Sequence, residues 1–135
     1  TYSGNPVACA AANATLDIMQ KEEVWQSAKH YAKTIEETVT AWQQENISPW
    51  LHGLTGVGAM RGIELRHPMH GTHPIIMTHV LKHAREHGLL LMPSGKYRHI
   101  IRLLPPLTIE PETLTAGLDI LKEVLMALPD ELPET

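Results

Sequence analysis

Between Lys21 and Glu45 apolar side chains recur at every third or fourth position, as Val24, Ala28, Tyr31, Ile35, Val39 and Trp42. Lys29, Lys33, Glu36 and Glu37 fill the opposite face. This spacing follows the 3.6-residue repeat and predicts one long amphipathic helix whose apolar stripe must be covered by a second layer. Composition limits what that layer contains. Phe is absent and only three Trp and three Tyr supply aromatic surface, so the core is expected from Leu, Ile, Val, Met and Ala. A chain of 135 residues suffices for one domain, or is a piece of a longer chain.

The same arithmetic excludes several classes. With 43% hydrophobic and 19% charged residues, the chain reads as a packed body and not as a disordered or fibrous one. Eleven Lys and Arg against fifteen Asp and Glu give a formal charge of -4, which offers no footprint for nucleic acid. No apolar run approaches the roughly 18 residues of a membrane span. The single Cys9 excludes an internal disulfide and fits a reducing compartment, so a cytoplasmic location is expected. The chain opens Thr1-Tyr2-Ser3-Gly4-Asn5-Pro6 with neither initiator Met nor signal-like segment, and is expected to begin inside a larger protein.

Asn5 followed by Pro6 predicts a helix start, since Asn caps free amides and Pro at the first position loses only an unused donor. The Ala-rich helix to about Met19 suits close approach to another backbone element, or simply has high helix propensity. After the amphipathic helix, Ser48 to Gly56 reads as a loop and Val57 to Leu65 as a strand. Pro68 to Pro74 is a turn-rich link, His73 to Glu86 a helix stopped at His87-Gly88, and Leu89 to Met92 and His99 to Leu104 two short strands. A last helix opens at Glu110-Pro111-Glu112 and buries Leu114, Leu118, Leu121 and Leu125. The expected fold is α+β: a small sheet of about three strands covered by helices. Residues 1–20 form a linking helix, 21–128 a small domain, and 129–135 a solvated tail.

Four features are candidates for chemistry. His79, His83 and His87 share one helix face, a spacing that two metal ligands use. No Cys lies near and Glu86 is that helix's only carboxylate, so no metal ligand is assigned and a polar solvated face is the other reading. Gly53, Gly56 and Gly58 do not open a helix and lack the Gly-Lys-Ser/Thr ending of a phosphate loop. Arg102 stands in the apolar run Ile100-Ile101-Arg102-Leu103-Leu104, on the face of Ile100 and Leu104, where an unpaired guanidinium is costly. Its partner is either a structural carboxylate such as Glu64 or a substrate carboxylate held by the planar fork. Finally, Thr1 to Pro6 places hydroxyls and a helix start together, which suits an anion or an ordinary cap.

Taken together, Thr1-Tyr2-Ser3-Gly4-Asn5-Pro6-Val7-Ala8-Cys9-Ala10-Ala11-Ala12, Gly58-Ala59-Met60-Arg61-Gly62-Ile63-Glu64-Leu65, Gly88-Leu89-Leu90-Leu91-Met92 and Ile100-Ile101-Arg102-Leu103-Leu104-Pro105-Pro106-Leu107-Thr108-Ile109 resemble one family. It is the class III aminotransferases, the ornithine and 4-aminobutyrate type that use pyridoxal phosphate. The resemblance implies that this chain is the C-terminal small domain of a fold type I pyridoxal phosphate enzyme, from a chain about three times longer. It implies that Thr1 contacts the cofactor phosphate and that Arg102 binds the substrate carboxylate.

The resemblance also implies what lies elsewhere. The Schiff-base Lys, the Asp at the pyridine nitrogen and the stacking aromatic belong to the family's large domain, and none of Lys21, Lys29, Lys33, Lys82, Lys96 or Lys122 takes that Lys position. No catalytic residue is therefore assigned here, and the fragment alone is expected to be inactive. The implied parent is a homodimer that moves an amino group from an ω-amino donor like 4-aminobutyrate to the 2-oxo acid 2-oxoglutarate. The competing class is a non-enzymatic α+β module that binds a small carboxylate or a metal.

Overall fold

The structure, a computed structural model, describes residues 3–130. Four helices and four strands follow in the order α1 (Pro6–Met19), α2 (Glu22–Gln44), β1 (Leu51–Val57), β2 (Met60–Leu65), α3 (Pro74–Glu86), β3 (Met92–Ser94), β4 (Ile100–Leu103) and α4 (Pro111–Met126). The strands form one antiparallel sheet in the order β1-β2-β4-β3. The α+β expectation holds.

The core gathers where the stripe of α2 meets the sheet. Tyr31, Ile35, Val39 and Trp42 from α2 join Ile63, Leu65 and Ile101 from the strands, Ile76, Met77 and Val80 from α3, and the leucines of α4. Two polar ties from aromatic side chains cross the core. The Tyr31 hydroxyl donates to the Ile109 carbonyl, and the fully buried Trp50 donates Nε1–H to the Pro129 carbonyl at 2.7 Å. Pro129, the first residue of the expected tail, is thus held against the domain; residues 131–135 lie outside the described residues.

The sheet has four strands where three are expected. The extra one is β1, within the segment read as a loop. Its sequence, Leu51-His52-Gly53-Leu54-Thr55-Gly56-Val57, lacks apolar alternation because it is an edge strand, held mainly by its ladder to β2. Gly58 and Ala59 make the hairpin turn, so the expected strand from Val57 to Leu65 is in fact the end of one strand, a turn and the whole of another. The second expected strand, Leu89 to Met92, is displaced: Leu89 and Leu91 pack on the core without pairing, and β3 begins at Met92. These two leucines report packing and not pairing. Pro93 is accommodated because β3 is the opposite edge of the sheet.

One face of the sheet packs on the helices, and on the other, among the described residues, Thr55, Val57, Met60, Met92 and Arg102 are exposed. Helix α1 buries none of its residues, and Val7, Leu16 and Ile18 are exposed on it.

Candidate functional site

That outer face carries the candidate site. Strand register sets Thr55 of β1 opposite Gly62 of β2, Gly62 opposite Arg102 of β4, and Arg102 opposite Met92 of β3. Directly paired residues share a face. Ile101, next to Arg102 in sequence, is fully buried on the inner face, so alternation turns Arg102 outward. Arg102 is exposed, and among the described residues its guanidinium has no hydrogen-bond or ion-pair partner.

Arg102 shares its face with Ile100 and Leu104 as expected, but it is exposed on that face and not buried, and of its two alternative partners the structural carboxylate is not taken. Arg61, which nothing in its local sequence distinguishes from Arg102, is the arginine with a structural partner. Its side chain is 14% exposed; Nη2 meets Glu36 Oε2 at 2.8 Å, and Nε and Nη1 donate to the carbonyls of Gly58 and Gly56 at 2.9 and 3.3 Å. Arg61 pairs with Leu103 across β2 and β4, one residue out of phase with Arg102, and that phase decides which arginine is used up. Glu64, the suggested structural partner, lies 3.8 Å from His99 Nε2 instead.

Around Arg102 the surface is apolar. Met60, Leu90, Met92 and Leu104 are all more than half exposed, and a groove of about 290 Å³ runs beside Arg102 between Leu89–Leu91 and Leu103–Pro106. A permanently charged, planar fork on a rigid strand, ringed by apolar side chains, is suited to grip a carboxylate bidentately. It offers no transferable proton and no nucleophile. The arrangement binds and orients.

The histidines behave differently from a metal cluster. His79 and His83 stack with ring centroids 6.3 Å apart, and His87 Nδ1 lies 2.8 Å from the His83 carbonyl. Among the described residues no group of three or more His, Cys, Asp or Glu is placed to hold a metal ion. His67 and His73 turn inward on the backbone: His67 Nδ1 accepts from the amides of Met69 and His70, and His73 Nδ1 from that of Ile75.

The sequence model of the family described as aminotransferase class-III matches residues 1–125. The chain belongs to the class-III aminotransferases. Among curated relatives, this class-III chain is 49% identical to a 2-aminoadipate transaminase of Pseudomonas putida over 95% of its own length and 31% of the relative's. It is 37% identical to a 4-aminobutyrate aminotransferase of Mycobacterium leprae, over 93% of the chain and 28% of that protein. Among solved structures, a phospholyase from Arthrobacter in complex with phosphoethanolamine superposes with a TM-score of 0.85 at 27% identity, covering 96% of the chain and 31% of that structure. The chain therefore spans about 30% of the length of these relatives.

Membership implies pyridoxal phosphate as the cofactor. The described residues do not by themselves fit that group. Lys33 and Lys82 are largely exposed and face Glu37 and Glu86 one turn on, Lys122 meets Glu45 at 2.8 Å, Lys96 lies over the Tyr97 ring, and Lys21 and Lys29 are exposed on α2 and its cap. None is a desolvated amine of the kind a Schiff base requires. At the start of α1 the Asn5 side chain already accepts from the amides of Val7 and Ala8, at 3.0 and 3.2 Å, which fills the helix end that the sequence offered to an anion. Thr1 lies outside the described residues.

Proposed function

We propose that this chain is the substrate-orienting C-terminal part of a pyridoxal phosphate-dependent aminotransferase, and that Arg102 grips the carboxylate of its 2-oxo acid and amino acid substrates. The observation that carries this reading is an exposed guanidinium, without a partner among the described residues, on a sheet strand within an apolar rim. Holding the carboxylate fixes which carbon faces the reacting centre, which lies outside this chain. Residues 1–20 serve as the link to that centre and 21–128 as the small domain, with the unburied α1 in support. Thr1 contributes a hydroxyl to the cofactor phosphate, the parent is a cytoplasmic homodimer, and the chain alone is inactive.

The acceptor in this reading is 2-oxoglutarate and the donor an ω-amino acid like 4-aminobutyrate, as in the Mycobacterium leprae relative. The 49% identity to a 2-aminoadipate transaminase favours a second donor class, an α-amino dicarboxylate. Both classes offer Arg102 a carboxylate. Steady-state rates of the full-length enzyme with 4-aminobutyrate and with 2-aminoadipate, at fixed 2-oxoglutarate, separate them.

Arg102→Ala in the full-length enzyme is expected to raise the KM for 2-oxoglutarate about ten- to a hundredfold, the scale of a lost charge-assisted hydrogen bond. An unchanged KM would remove Arg102 from this role.

A further inference from the structure

The groove beside Arg102 has one charged residue on its rim and an apolar floor. Of the residues that line it, Arg102 alone is charged, and Thr113 is the only other with a polar side chain. Leu90 and Leu104 stand exposed on its walls, while Ile35 and Leu121, at 0% and 1% exposure, reach it from the core. Its volume of about 290 Å³ is close to the lower end of small-molecule sites, which are likewise apolar with a few polar groups to fix orientation.

Helix α4 makes part of this room by leaving out a side chain. Leu114, Leu118 and Leu121 form its buried stripe, and position 117, three residues after Leu114 and four before Leu121, belongs to the same stripe. Gly stands there, the poorest residue but Pro for a helix interior. Beyond its own helix, a Cβ at Gly117 would meet only Leu89 Cδ1, at 3.6 Å, which is ordinary contact. Space is open where the helix pattern calls for bulk.

We propose that the groove is a binding site for an unbranched aliphatic carboxylate, with the carboxylate on Arg102 and the hydrocarbon chain laid over Gly117 toward Ile35 and Leu121. The single charge of such a ligand meets the single charge of the lining, and its chain meets leucine, isoleucine and proline. A dicarboxylate such as 2-oxoglutarate uses the guanidinium and leaves the groove empty, because a second charge against apolar walls meets a desolvation cost. Aliphatic carboxylates therefore compete with 2-oxoglutarate for Arg102 and gain from their chain what 2-oxoglutarate cannot. The inference rests on the reading of Arg102 as the carboxylate grip and adds an apolar determinant to it.

The test is competition in the full-length enzyme with bound cofactor. Unbranched monocarboxylates from acetate to octanoate are measured as inhibitors against 2-oxoglutarate. Ki is expected to fall about fourfold with each added methylene and to level off once the groove is full. One Ki for the whole series would overturn the proposal, and is the result expected where the rest of the parent chain fills the groove. Gly117→Leu is expected to bring the ratio of the acetate and hexanoate Ki values close to one. Where that variant fails to fold, Gly117→Ala, which sets one methyl against Leu89 and raises helix propensity, is expected to level the series about one methylene earlier. A series unshifted in the variant that folds would sink the proposal. Arg102→Ala separates the two layers of argument. An unchanged KM for 2-oxoglutarate in that variant removes the grip itself. A raised KM beside a wild-type series without length dependence, or beside Ki values that ignore the loss of Arg102, keeps the grip and removes only the groove.

Discussion

Arg61 and Arg102 sit on neighbouring strands with opposite phase, and the fold treats them in opposite ways. Arg61 spends its donors on Glu36 and on two carbonyls of the β1–β2 hairpin, which ties that hairpin to α2. Arg102 spends none. Gly56 shows how tight the same hairpin is, since it holds φ at +102° and a Cβ there would fall 2.3 Å from the Met60 carbonyl oxygen. Both the left-handed backbone and the contact with main chain oppose any side chain. Gly56→Ala is expected to destabilise the chain by about 2 kcal/mol, read as a lower urea midpoint at unchanged slope. Wild-type stability in that variant would contradict the hairpin geometry.

Among the elements, α3 depends on an unusual cap. Pro74 opens the helix and His73, in extended conformation, accepts the Ile75 amide through Nδ1. The helix then buries Ile76, Met77, Val80 and Ala84. Replacing His73 by Ala leaves that amide without its acceptor, at an expected cost of about 1 kcal/mol. Asn at the same position restores an acceptor and should recover most of the loss. Equal unfolding midpoints for wild type, His73→Ala and His73→Asn would show that the cap contributes nothing. The elements also show how their sequence signals divide. Helices α2, α3 and α4 are legible because one stripe of each is buried and the periodicity records it. Strand β1 is not legible, because an edge strand held by backbone pairing leaves little trace in side-chain pattern. Leu89 and Leu91 mislead for the converse reason: their burial comes from packing on the core without any ladder.

At the scale of the whole molecule, two surfaces lack cover: the outer face of the sheet around Arg102, and the whole of α1, where no residue is buried. Both are consistent with a chain that spans about 30% of its relatives' length. The described lysines are exposed or paired with carboxylates or an aromatic ring, so the isolated chain is expected to give no saturable change in pyridoxal phosphate absorbance at equimolar concentration. A stoichiometric spectral shift would mean that a complete site exists in these residues alone. The motifs around Asn5-Pro6, Arg61-Gly62 and Arg102 carried the family, and periodicity carried the helical layer, because both are written in residue identity and local spacing. The state of Arg102 was beyond that reach. Sequence alternation says that Arg102 shares a face with Ile100 and Leu104, but which face of a sheet is covered depends on where α2, α3 and α4 pack. Only the tertiary structure decides that Arg61 turns inward to Glu36 while Arg102 stands free, since burial of a charge is a property of what lies across from it and not of its neighbours in the chain.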